Sequence, residues 1–195
     1  MTAFSSVSLL VAALALAAPS RAEAAPRTHD GVYLRVAVGP GFTLGHLDIA
    51  AGAGGDSTGV NVSTQLAVGW TVRRGLVLGL GTFPMVTPSP SYDGVDAGGQ
   101  HVSATGPFID YYLDPHGGLH AQAGVLFTAG YLDGGERGSQ VGVGWGATAG
   151  VGYDVFVSDQ WSVGGIARLT AYRLFGVADE IRMVAPAALF TVTYH

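Results

Sequence analysis

The sequence contains no cysteine, which excludes disulfide frameworks, thiolate metal sites, cysteine nucleophiles and a lipoprotein acylation site. It is also poor in charge: Asp, Glu, Lys and Arg make up 12% of the chain, about half of the roughly 25% that soluble domains carry. With 9 Lys and Arg against 14 Asp and Glu, and a formal net charge of -5, there is no basic face for nucleic acid, because phosphate contacts require clustered cations. Beyond Ala25 no apolar run approaches the ~20 residues that a transmembrane helix needs.

Glycine, by contrast, is abundant, with 31 residues among 195, and 48% of the chain is hydrophobic and 10% aromatic. Mean hydropathy is +0.36. That much apolar surface offsets the entropy of ordering the chain, so intrinsic disorder is excluded. The polypeptide folds, but its composition does not supply an ordinary aqueous surface.

Residues 1–24 read as an export signal. Ser8 to Ala18, SLLVAALALAA, is one apolar run, and Ala22-Glu23-Ala24 after it has the small-x-small form of a signal-peptidase site. The run is too short to span a bilayer as a helix. Met1 to Val7 carries no Lys or Arg, a departure from the usual basic leader. The mature chain is expected to begin at Ala25, with residues 25–30 as a short periplasmic segment and 31–195 as one domain.

That domain shows a period of two. Val60, Val62, Thr64, Leu66, Val68, Trp70 and Val72 alternate with Asn61, Ser63, Gln65, Ala67, Gly69 and Thr71, a strand with one oily and one polar face. Val141 to Val155 repeats the pattern against Gly142, Gly144, Gly146, Thr148, Gly150, Gly152 and Asp154, and Leu119 to Tyr131 does so again. A soluble barrel turns its oily face inward and its charged face out. Here the second face is Gly, Ser, Thr, Asn and Gln, which suits a tightly packed lumen, and the oily face suits lipid. A closed barrel is the only strand architecture that satisfies every backbone group in a bilayer.

Short breaks at 73–75, 114–118 and 158–160 alternate with longer ones at 48–57, 87–99, 133–139 and 176–182. They separate eight segments, 31–46, 58–72, 76–87, 100–113, 119–131, 140–156, 161–175 and 183–194. The expected fold is therefore all-β, an eight-stranded antiparallel up-and-down transmembrane β-barrel with both termini periplasmic. Aromatics cluster at segment ends: Tyr33, Trp70, Tyr111, Tyr112, Tyr153, Phe156, Trp161 and Tyr194 near the short turns, and Phe42, Phe83, Phe127, Tyr131, Tyr172 and Phe175 toward the long loops. This predicts two interfacial girdles.

On this architecture the chain resembles the small eight-stranded outer-membrane proteins of the OmpA membrane-domain, OmpX and OmpW type. The resemblance covers nearly the whole mature sequence and implies an outer-membrane location, with membrane lipid and lipopolysaccharide as partners. The last segment, Ala188, Phe190, Val192, Tyr194, is similar to the C-terminal strand signal read by the outer-membrane assembly machinery, although His195 follows the aromatic. The same resemblance leaves a narrow channel or carrier for small or hydrophobic solutes as an alternative to a non-enzymatic barrel with a packed polar lumen and surface loops.

An eight-stranded barrel is just wide enough for its side chains. Outward-facing Arg at mid-bilayer costs about 2–4 kcal/mol, so the charged residues are assigned inward: Arg35, Asp110 and Asp154 in a lower layer, Arg168 with Gln65 in a second layer, and Gln122 on the polar face of its strand. Placing Asp110 inward while Val102 and Ala104 face lipid demands a bulge near Gly106-Pro107.

His101-Val102-Ser103 has the His-x-Ser spacing of the outer-membrane lipid A deacylases, the basis for a lipid-modifying alternative. The neighbouring motif residues and an acidic orienter are missing, so no catalytic residue is assigned and a non-enzymatic protein is expected. His29, His46, His116, His120 and His195 are read as scattered over strand ends, turns and termini, without a metal-ligand set. No metal and no cofactor is implied.

Overall fold

The computed structural model describes residues 27–48, 55–93, 95–96, 98–133, 139–176 and 180–195; the segment 1–24, expected to be an export signal, lies outside the described residues. The strands are β1 (Val32–Asp48), β2 (Gly55–Arg73), β3 (Leu76–Thr82), β4 (Met85–Thr87), β5 (Ser91–Tyr92), β6 (Val95–Asp96), β7 (Gln100–Tyr112), β8 (Leu119–Asp133), β9 (Ser139–Phe156), β10 (Trp161–Gly176) and β11 (Glu180–Tyr194). Every pairing is antiparallel, and β1 pairs with both β2 and β11, which closes the ring. Eight walls result, because β3 and β4 together form one of them and β5–β6 is a small hairpin added to the edge of β2.

The split wall has a local cause. Pro84 has no N–H to give to the ladder, so the chain breaks between Thr82 and Met85. Register is nevertheless kept, with Thr82 opposite Thr105 and Met85 opposite Val102. Phe83 N donates to the Ala104 carbonyl at 2.7 Å, and Thr64 N donates to the Pro84 carbonyl at 3.0 Å.

The oily face points outward. Val60 is 66% exposed and Phe127 65%, and Val62, Val68, Trp70, Val125, Val143, Trp145, Val151 and Tyr153 are exposed with them. In water each such side chain would forfeit ~1.5–3 kcal/mol of burial; in lipid it forfeits nothing. Strands of 13 to 19 residues exceed the ~9–11 needed to cross a bilayer, so the walls extend beyond it. The short turns, the segment from Arg27 that leads into β1, and His195 share one end, which is the periplasmic end in outer-membrane barrels.

Two local expectations fail. No bulge occurs in β7: its pairings with β3 and β8 keep one register, and Gln100, Val102, Ala104, Phe108, Asp110 and Tyr112 all face inward. Val102 and Ala104 belong inside because the upper lumen is apolar, so no shift is needed to bring Asp110 in. The girdles are also thinner than expected. Trp70, Tyr111, Tyr153 and Trp161 face out near the short turns, and Phe42, Phe127, Tyr131 and Phe175 near the long connections, but Tyr33, Tyr112, Phe83 and Tyr172 are buried in the lumen. Parity along the strand decides facing, and position near a strand end does not.

Candidate functional site

The interior is a stack of layers, the lowest of which is a closed ionic network. β1, β7 and β9 place Arg35, Asp110 and Asp154 on inward positions at one level, and all three are buried. Arg35 Nη1 meets Asp110 Oδ2 at 2.8 Å and Nη2 meets Asp154 Oδ2 at 2.6 Å, while Nε donates to Thr193 Oγ1 at 2.8 Å. Tyr33 donates to Asp110 at 2.8 Å; Tyr112 accepts from Arg35 at 2.6 Å and donates to Asp154 at 2.9 Å. Thr191 donates to the other Asp154 oxygen at 2.9 Å. His120 Nδ1 lies 2.7 Å from Asp110 Oδ1, so that nitrogen carries the proton. Gln122 Nε2 reaches Asp110 only at 3.5 Å. Gly152 and Gly164 make this layer possible, because a Cβ at either position would collide with His120 or with Asp154.

Below the network the N-terminal segment crosses the mouth of the barrel. Arg27 N donates to the Asp159 carbonyl at 3.0 Å, His29 N to the Pro115 carbonyl at 3.1 Å, and Thr71 N to the Gly31 carbonyl at 2.9 Å, which ties the strap to two turns and the end of β2. His29 stacks on Tyr112 with ring centroids 3.5 Å apart, and its Nε2 donates to the Gly117 carbonyl at 2.9 Å. His195 Nε2 lies 3.1 Å from His29 Nδ1 and 3.0 Å from Ser162 Oγ. Burial pushes the pKa of His29 down to about 4 and that of His195 down to about 2. The five histidines read as scattered are thus not all apart. Because β1 pairs with β11 and Leu34 stands opposite Tyr194, barrel closure brings the two terminal histidines together, and His120 joins them through its ring contact with Tyr112. Among the described residues no group of three or more His, Cys, Asp or Glu is arranged to hold a metal.

Above the network sit Arg168 and Gln65. Arg168 is buried, yet its terminal nitrogens reach only the Thr64 carbonyl at 3.3 and 3.4 Å and Gln65 Oε1 at 3.4 Å, and its guanidinium lies 5.6 Å from the Phe83 ring centroid. Arg168 Nε, Gln65 Nε2 and Gln122 Oε1 have no partner. A buried ion that lacks a counterion is a net cost. Arg168→Met is therefore expected to leave the unfolding free energy unchanged or to raise it by up to ~1–2 kcal/mol, measured by urea titration of the micelle-refolded barrel. A loss comparable to that of removing Arg35 would show that Arg168 is a structural ion after all.

Toward the long connections the lumen changes character. Phe83, Met85, Val102, Ala104, Leu126, Leu174, Ile181 and Met183 form one apolar cluster with Phe108 and Tyr172. The lumen expected to be packed and polar is charged in its lower half, whereas in its upper half the apolar cluster is interspersed with neutral polar side chains, a hydroxyl-amide group around Thr43, Thr87, Asn61 and Ser63 and the buried Ser57, Gln100, Thr128 and Thr170. His101 and Ser103 lie on the outer face of β7, half-exposed, and no hydrogen bond joins them to each other or to an acid among the described residues.

No protein-family model and no curated protein matches the sequence. Solved structures do match in shape. The chain superposes on the outer membrane protein AlkL with a TM-score of 0.55 at 12% identity, covering 90% of this chain and 93% of AlkL. It superposes on OprG from Pseudomonas aeruginosa at 0.53 and 12% identity, covering 87% and 99%. Neisserial surface protein A gives 0.51 at 14% identity, covering 84% and 97%. At such identities the likeness is one of fold, and in fold the chain is a small eight-stranded outer-membrane β-barrel.

Proposed function

We propose that the protein is a non-enzymatic, non-conducting barrel of the outer membrane, exported by its N-terminal signal, inserted through its C-terminal strand by the assembly machinery, and serving the envelope through its outer wall and surface loops. Membrane lipid and lipopolysaccharide are its partners in this reading. The observation that carries it is the closed layer Arg35–Asp110–Asp154, in which all three side chains have no exposed surface, roofed over on the periplasmic side by the His29 strap. An ion passing the lumen would have to displace charges that already satisfy one another. In planar bilayers the purified barrel is expected to give no discrete conductance steps at neutral pH. Regular ohmic steps from the wild-type protein would overturn this reading.

A second reading, a carrier for small apolar solutes, is favoured by the apolar upper lumen above a polar floor. Uptake of an apolar fluorescent dye into liposomes carrying the barrel, compared with empty liposomes, separates it from the first.

A further inference from the structure

Among the described residues Arg168 is the buried cation without an ion pair: its terminal nitrogens reach only carbonyl oxygens at 3.3 and 3.4 Å, and Nε has no partner. Its row explains the lack. Across the sheet it stands between Gly150 on β9 and Ala187 on β11, with Gly41 beyond, so no side chain beside it offers an acceptor. Nor does the lower layer supply the charge by contact. The carboxylate oxygens of Asp110 and Asp154 are all bonded within that layer. His120 lies between the two acids, Nδ1 2.7 Å from Asp110 and Nε2 3.7 Å from Asp154, so a second proton on that ring balances the layer without Arg168.

Two of the three unpaired atoms at this level, Arg168 Nε and Gln65 Nε2, are donors; the third, Gln122 Oε1, lies two strands away along the row. Buried polar atoms left without a partner point to a water or an ion. The approach is polar but uncharged. Ser57, Asn61, Ser63 and Gln65 form a line of buried side chains down the inner face of β2, from the long-connection end to Arg168, with no acid among them. On the facing wall the hydroxyls of Thr170, two residues along β10, and of Thr148 opposite it stand 3.1 Å apart. Neutral hydroxyl and amide groups that end at a guanidinium make a setting for a small anion. Water can satisfy the orphaned nitrogens, but it cannot supply the missing charge.

We propose that the lumen holds a small monovalent anion of the halide class, bonded to the Arg168 guanidinium and to Gln65 Nε2, above the closed ionic layer. Such an ion is little larger than a water molecule, carries the missing charge and makes no demand on shape. The inference goes beyond the non-conducting reading and does not depend on it, since an ion bound above the layer does not cross it: conductance steps would overturn that reading and leave this site standing. It also sets a condition on Arg168→Met. The stability expected for that variant applies where no halide is present, and halide should reverse the order by stabilising the wild type alone.

The test takes the full mature barrel, refolded in maltoside micelles, from sodium gluconate, whose anion is too large for the lumen, to sodium chloride or sodium bromide at constant ionic strength and neutral pH. The readouts are the unfolding temperature and the line width of the chloride NMR signal. For the wild type both halides are expected to raise the unfolding temperature with a saturable dependence on concentration, and bromide is expected to narrow the broadened chloride line by competition. Arg168→Met should lose the saturable rise and the broadening. Arg168→Lys, which keeps the charge but replaces the fork by one ammonium, and Gln65→Leu, which removes the second donor, should each bind several-fold more weakly. Arg73→Gln, at an exposed turn, should respond as the wild type does. The chloride line of the wild type requires no variant, so the test stands even where Arg168→Met fails to fold. A wild type whose unfolding temperature follows ionic strength and not anion identity, a chloride line that bromide leaves unchanged, or an equal halide response in Arg168→Met and wild type overturns the proposal and leaves water as the partner of the orphaned nitrogens.

Discussion

Arg35→Ala is expected to cost about 3–5 kcal/mol of unfolding free energy, the range for breaking a buried ion pair from one side. The reason is the geometry of the lower layer: Arg35 is the one cation bonded to both Asp110 and Asp154, at 2.8 and 2.6 Å, and it also holds Thr193 and Tyr112. Removing it leaves two carboxylates facing each other in a site that water does not reach. The cost belongs to the stranded acids more than to the lost attraction, so the triple variant Arg35→Ala, Asp110→Asn, Asp154→Asn should recover most of it. Urea titrations of the barrel in micelles measure all three proteins. If the triple variant is as unstable as the single one, stranded charge is not the cause, and packing of the Arg35 stem must be. Residues in one network are non-additive, so the comparison has to be made with the triple variant and not with the sum of single substitutions.

Much of the fold was legible because its signal is the simplest one a sequence carries. Period-two alternation of Val, Leu and Trp against Gly, Ser, Thr and Gln determined facing along β2, β8 and β9, and turn length determined which end is which. Placing Arg35, Asp110 and Asp154 inside followed from the cost of charge in lipid. What was missed at the site was missed by not applying parity to the neighbours of those residues. Tyr33 is two residues before Arg35, Tyr112 two after Asp110, and His120 two before Gln122, so each had to share the lumen with its neighbour; reading aromatics by their nearness to strand ends put two of these in the wrong place. The apolar upper lumen was hidden for a different reason. Val102, Ala104, Met85 and Met183 are apolar on both readings of their strands, and composition cannot say which apolar face meets lipid. The contact of His29 with His195 is a product of closure alone, since 166 residues separate them and neither has a local motif.

That contact sets the pH response of the periplasmic end. His29 has its pKa lowered by burial from 6.5 to about 4, and His195 is lowered further, by burial and by His29 itself. A histidine depressed in the folded state is held neutral there, while the unfolded chain takes up its proton below ~6.5. Stability from these groups is therefore complete well above pH 6.5 and falls as pH drops below that value because only the unfolded state gains protons; the fall becomes shallower once the folded value of about 4 for His29 is passed and continues toward the lower folded value of His195. For His29 alone the loss between pH 7.5 and pH 5 is about 2 kcal/mol, at ~1.4 kcal/mol per pH unit across the lower part of that interval. The strap, held by single backbone bonds to the 115 and 159 turns, should be the first part to let go. Urea titrations at the two pH values measure the global effect, and amide exchange of residues 27–31 measures the local one. His29→Phe with His195→Gln keeps a ring on Tyr112 and removes both titrating groups, so it should be less stable at pH 7.5 yet lose less between pH 7.5 and pH 5 than the wild type does. An undiminished loss in that variant would place the acid sensitivity elsewhere in the barrel, and an unchanged exchange rate at residues 27–31 in acid would mean that the strap stays shut with its histidines charged.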